Sequence, residues 1–128
     1  MANKKFQINP NPTFKSKVKI PRPNNEFLQV EFEFKYHPRK ELAKIYDKWS
    51  EDAKGLQSKI NQESSYAELT DAELGLYISR IKEIVIGWEF EDKFDDAAID
   101  ALLQTHPKVA DAIISSYQEA CSGAALGN

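Results

Sequence analysis

The feature that most constrains this chain is a pair of alternating segments near its N-terminus. Residues 14–20 place Phe14, Ser16, Val18 and Ile20 on one side of an extended backbone and Lys15, Lys17 and Lys19 on the other. Residues 27–36 repeat the pattern, with Leu28, Val30, Phe32, Phe34 and Tyr36 opposed to Gln29, Glu31, Glu33 and Lys35. A side-chain period of two belongs to a strand with one buried face. The intervening PRPNNE is rich in residues that stop a strand and turn the chain. The expectation is an antiparallel β-hairpin whose outer face sets lysines against glutamates, a favourable cross-strand arrangement. That makes the lysines a solvated sheet face rather than a phosphate-binding stripe. An isolated hairpin is marginal in water, so helices must cover its apolar face or another strand must join its open edge. The edge could also accept a strand from a partner or a second copy, which keeps a homo-oligomer open.

The period then changes. After Pro38, Leu42, Tyr46, Trp49, Ala53, Leu56 and Ile60 recur at spacings of three and four, with Ile45 widening the stripe. This is the apolar face of an amphipathic helix of about 16–22 residues, with Gly55 as a candidate break. Residues 61–69 read as a connection. Thr70-Asp71-Ala72-Glu73 has the form of a capping box, and a second helix should follow through Leu74, Ile78, Ile81 and Val85, stopping near Gly87. Phe94 before Asp95 suggests an apolar residue outside an Asp cap, opening a third helix over 96–105. His106-Pro107 ends it, and a fourth helix to about residue 120 brings Val109, Ile113 and Tyr117 together. The expected organisation is a flexible arm over 1–13, one α+β domain over 14–120 with an N-terminal antiparallel β-hairpin followed by about four helices, and a flexible tail over 121–128.

Chemistry-bearing constellations are missing from this pattern. The histidines, His37 and His106, each adjoin a proline at an expected helix boundary and have no metal-ligand spacing, so capping or surface exposure suits both. Glu51-Asp52, Glu91-Asp92 and Asp95-Asp96 fall at turns and helix starts, where carboxylates favour exposed amides. The single cysteine, Cys121, has no basic neighbour in sequence to activate it and permits no intrachain disulfide. No Gly-rich phosphate loop or nucleophile motif is present. The sequence therefore offers no catalytic residue, no cofactor site and no metal site. Net charge is −3 and the sequence pI about 5.4, which disfavours nucleic acid. The helix pair over 95–120 resembles a helix-turn-helix only in outline, since Lys108 is the one basic residue of its second helix. No apolar run is long enough to span a bilayer.

Binding of other proteins is what remains. Aromatic residues are numerous for one small core, and Trp88 and Phe90 lie between two expected helices beside Gly87, in an acidic stretch. Large amphipathic aromatics left at a surface tend to anchor interfaces, so Trp88 and Phe90 are the candidate protein-binding residues.

Three pieces of the sequence together resemble the tail assembly chaperones of long-tailed bacteriophages. The first is the polar N-terminal segment leading into a basic-aliphatic strand, then a strand followed by an amphipathic helix. The second, Ile84-Val85-Ile86-Gly87-Trp88-Glu89, is similar to the family's helix-ending hydrophobic-Gly-Trp stretch before an acidic turn. The third runs from Phe94 to Leu103, then Pro107, Ala112-Ile113 and Tyr117, ending in a Gly/Ala/Asn tail. The likeness covers residues 14–128 and is strongest over 81–117. It implies a non-enzymatic protein of the host bacterial cytoplasm that binds the tape measure protein and helps recruit major tail protein during phage tail assembly. Two other classes are compatible with the residues: a small structural virion protein such as a head–tail connector component, and a small enzyme whose site assembles only in three dimensions.

Overall fold

The computed structural model describes residues 5, 8, 12–60 and 63–122. Most of the expected N-terminal arm and of the C-terminal tail lies outside the described residues. Two strands, β1 (Thr13–Arg22) and β2 (Glu26–Lys35), form the hairpin that the alternation requires. The register pairs Phe14 with Phe34, Val18 with Val30 and Ile20 with Leu28 on the inner face, and Lys15 with Glu33 and Lys17 with Glu31 on the outer face. Among the described residues these outer pairs are register neighbours rather than contact ion pairs. Glu33 instead accepts a 2.9 Å hydrogen bond from the Thr13 hydroxyl. The loop between the strands is Pro23–Asn25, with Asn24 at φ 67° and Asn25 at φ 60°. Asparagine is among the few non-glycine residues that visit this left-handed region readily.

Four helices follow: α1 (Arg39–Lys59), α2 (Tyr66–Ile84), α3 (Asp96–Thr105) and α4 (Val109–Ser122). The α+β class and the hairpin-then-four-helices order are as expected. α1 runs unbroken through Gly55, which lies at an open surface. Asp95 caps α3 by accepting a 2.9 Å hydrogen bond from the Ala98 amide.

Two local expectations need correction. The capping box of α2 is Ser65 with Glu68, not Thr70 with Glu73. The Ser65 hydroxyl accepts from the Glu68 amide at 3.1 Å, and Glu68 accepts from the Ser65 amide at 3.0 Å. Residues 66–69 are compatible with helix, so the earlier box wins by adding a further turn of backbone hydrogen bonds. The second correction concerns the end of α2. It stops at Ile84, and Val85–Trp88 forms a third strand, β3, antiparallel to β2, in a sheet of order β1-β2-β3. Trp88 pairs with Phe32 and Gly87 with Glu33, with an irregularity between Glu33 and Phe34. The second edge of β2 is thereby closed, and β1 keeps the hairpin's free edge.

Helices cover one face of this sheet. Val18, Ile20, Val30, Phe32 and Phe34 from the strands meet Trp49, Ile81, Ile84, Ile99, Leu103, Ile113 and Tyr117 from the helices in one core. Each fully buried Phe or Ile contributes about 1.5–3 kcal/mol through removal from water. α4 packs on β1, and Tyr117 donates a 3.0 Å hydrogen bond to the Lys35 carbonyl at the end of β2. The last carbonyls of α2 also find partners: Lys35 Nζ donates to Lys82 at 3.1 Å, His37 Nε2 to Glu83 at 2.8 Å, and the Val85 amide to Ile81. Basic groups suit this end of a helix. His37 therefore stabilises the end of α2 rather than the start of α1.

Candidate functional site

β3 positions the two candidate aromatics. Its pairing with β2 continues beyond Trp88: the Glu89 amide donates to the Glu31 carbonyl at 3.0 Å, and the Glu31 amide donates to Glu89 Oε1 at 2.8 Å. This clamp after Trp88 and the pairing of Gly87 with Glu33 before it fix the backbone on both sides of the indole. The indole stands edge-on to Phe90 and Phe94, with ring centroids 5.1 and 4.9 Å away, and edge-on to Phe32 at 6.1 Å. Such T-shaped pairs add about 0.5–1.5 kcal/mol beyond area burial. Trp88 Nε1 donates a 2.7 Å hydrogen bond to the Asp92 carbonyl, closing the turn that carries Phe90.

Phe32 is fully buried beneath this cluster, whereas Trp88, Phe90 and Phe94 are half-buried. Core and surface therefore meet at Trp88: one part of the indole packs inward and the rest walls a slot of about 170 Å³. Phe90 shares that wall. Ala98, Ala101 and Leu102 of α3 form the other side, with Thr105 and His106 at one end and Asp92 also contributing. Small residues at 98 and 101 leave the space open, because an alanine ends where a longer side chain would fill the slot. The slot has room for about one side chain. Its one hydroxyl, that of Thr105, donates to the Ala101 carbonyl at 2.8 Å, and its lining holds no paired carboxylates and no clustered cations.

The other sequence candidates are dispersed. Cys121 is exposed near the end of α4, on different elements from the slot. Burial, then the neighbouring Tyr117 hydroxyl acting in the opposite sense, leaves its thiol above the ordinary value, unlike an activated nucleophile. Of the acidic pairs, Glu51 lies 3.7 Å from Lys54, Asp95 caps α3, and Asp96 lies 2.8 Å from Lys82. Among the described residues no group of three or more His, Cys, Asp or Glu side chains could hold a metal ion. No described helix is long and apolar enough to cross a membrane.

The wall contributed by Ala98 and Ala101, and the support that Phe94 gives Trp88 from behind it, were not legible as part of the site. Phe94 was visible as a residue outside a helix cap, but its contact with Trp88 depends on how the 89–95 turn folds back. A second concavity, between the start of α1 and the end of α4, draws on β1, α1, α4 and the connection after β2, and has no sequence signature.

A family model described as phage tail assembly chaperone matches residues 1–128. No curated protein and no solved structure matches the chain.

Proposed function

The chain belongs to the phage tail assembly chaperone family, and from that premise we propose that it works without catalysis, binding the tape measure protein and helping recruit major tail protein while the tail tube polymerises. Its place of work is the host bacterial cytoplasm. The observation that carries the binding role is the half-buried Trp88–Phe90 pair walling a slot against α3, apolar on its aromatic side and polar at Asp92, Thr105 and His106. A chaperone has to release its client. Inserting one apolar side chain into such a slot contributes about 1.5–3 kcal/mol, an anchor that needs several companion contacts and stays reversible. The surrounding rim is acidic and exposed, with Glu89, Glu91 and Asp92, which favours solubility of the free protein and of its complexes.

The test is the fate of the protein during assembly. Mass spectrometry of infected-cell lysate and of purified particles should find the chain abundant in the first and absent from the second. A fixed stoichiometry in purified particles would show a permanent tail or connector component instead.

A further inference from the structure

We propose that the groove between the start of α1 and the end of α4 is a second docking surface, for an amphipathic protein segment that presents apolar side chains together with a carboxylate. The groove measures about 790 Å³ and shares no lining residue with the Trp88 slot. It exists because α1 packs on α2 while α4 packs on β1, so the two helices flank a gap instead of closing it. Tyr117 holds α4 in place, its ring stacked 6.0 Å from Phe14 and tilted against Phe34 at 5.4 Å.

Phe14, Leu42 and Tyr46 supply the apolar wall, and all three are half-buried; Tyr36 is exposed beside them. Leu42 and Tyr46 belong to the apolar stripe of α1, whose one buried member is Trp49. Leu42 and Tyr46 pack against the margin of the core and keep part of their apolar surface turned to the groove.

Charge selects the occupant. The whole chain carries 20 acidic and 17 basic residues, yet the groove lining contains Arg39 and no Asp or Glu. Arg39 is exposed and makes no ion pair among the described residues. It stands at the first position of α1, whose N-cap, Pro38, offers no side-chain hydrogen bond. The positive end of the helix dipole therefore reinforces the guanidinium. Glu41, the acidic residue of that first turn, does not line the groove. An apolar trough with a cation at one end matches the helix-in-groove mode of recognition, with the carboxylate of the entering segment meeting arginine in a charge-assisted pair. The volume admits several side chains, whereas the Trp88 slot admits one.

The proposal rests on the chaperone reading only for the protein that supplies the segment, the tape measure protein. The experiment co-expresses the full chain with the tape measure protein of the same phage and recovers complex through a tag on the latter. Alkylation of Cys121, the lone cysteine and a groove residue, by N-ethylmaleimide is then followed by mass spectrometry in free chain and in complex. The complex should slow alkylation about tenfold or more, and Arg39→Glu should lower recovery about tenfold while Arg39→Lys retains most of it. The thermal midpoint of free Arg39→Glu should not fall below the wild-type value, because the side chain it replaces is exposed, makes no ion pair among the described residues, and gives way to an acidic residue that suits the first turn of a helix. If wild-type complex forms but Cys121 reacts at its free rate and Arg39→Glu is recovered like wild type, the groove assignment falls and the chaperone role stands. If wild-type chain recovers no complex, the chaperone role fails and the groove assignment falls with it.

Discussion

Trp88→Ala puts a number on the aromatic cluster. The substitution removes three edge-on ring contacts, to Phe32, Phe90 and Phe94, and the 2.7 Å hydrogen bond to the Asp92 carbonyl. Truncating a fully buried Phe or Trp costs about 3–5 kcal/mol, and a half-buried indole should cost roughly half of that, about 2 kcal/mol. The lost hydrogen bond adds no more than about 1 kcal/mol, because the Asp92 carbonyl can turn to water. For a domain of this length 1 kcal/mol corresponds to about 4 °C in thermal midpoint, so the midpoint should fall by about 8–12 °C. Circular dichroism melts measure this directly. Trp88→Phe keeps a ring in the cluster and should lose about a third as much. A midpoint within 1–2 °C of wild type for Trp88→Ala would mean that the indole is not held by these rings, and the account of the slot's wall would be wrong.

Three further outcomes follow from other parts of the fold. Ala101→Arg places a long side chain across the slot from an exposed helix position, so it should change stability by less than about 0.5 kcal/mol yet weaken co-purification of a tail-protein partner; full binding would remove the slot from the interface. Ser65→Ala should cost about 1 kcal/mol in denaturant unfolding, and Thr70→Ala, inside α2, much less; the reverse order would restore the later capping box. Burial pushes the Tyr117 phenol well above its ordinary 10.0, helped by Cys121, and burial also raises Tyr46 and Tyr77. A folded-state value above the unfolded one means that the native state holds its proton longer, so stability is fully present below pH 10 and declines above it. The Tyr117 share approaches about 1.4 kcal/mol per pH unit. Tyr117→Phe should flatten that alkaline decline while costing about 1–2 kcal/mol at neutral pH, since the Lys35 carbonyl loses its donor; an unchanged alkaline slope would contradict the assignment.

How much of this was legible in the sequence depended on whether a local pattern was sufficient. The hairpin was, because strict alternation over two segments forces one register: a slip by one residue would bury Lys17 and expose Val18. The start of α3 was legible because Asp95 and its preceding Phe94 form a local cap signal. β3 was not. Ile84-Val85-Ile86 is a short β-branched run with no period to decide between a last helical turn and a strand. What decides it is the open edge of β2, a partner some fifty residues earlier in the chain. The capping boxes failed differently: Ser65-Tyr66-Ala67-Glu68 and Thr70-Asp71-Ala72-Glu73 both carry the pattern, and choosing between them requires knowing how far α2 extends.

The candidate site shows the same division. Trp88 and Phe90 stood out by composition and position, and the structure brings them together in one wall. Their partners did not, since Phe32 looked like core and Ala98 and Ala101 looked like ordinary helix residues. The groove beside Arg39 was hidden for a related reason. Leu42 and Tyr46 are indistinguishable in sequence from core positions of the same stripe, and only the divergence of α1 and α4 leaves them at a surface.

The most direct test of the chaperone role is solubility of the client. Expressed alone and together with this chain, the tape measure protein of the same phage should move from the insoluble to the soluble fraction, and the two should co-elute in size-exclusion chromatography. A tape measure protein that stays equally insoluble, with no co-eluting complex, would contradict the account.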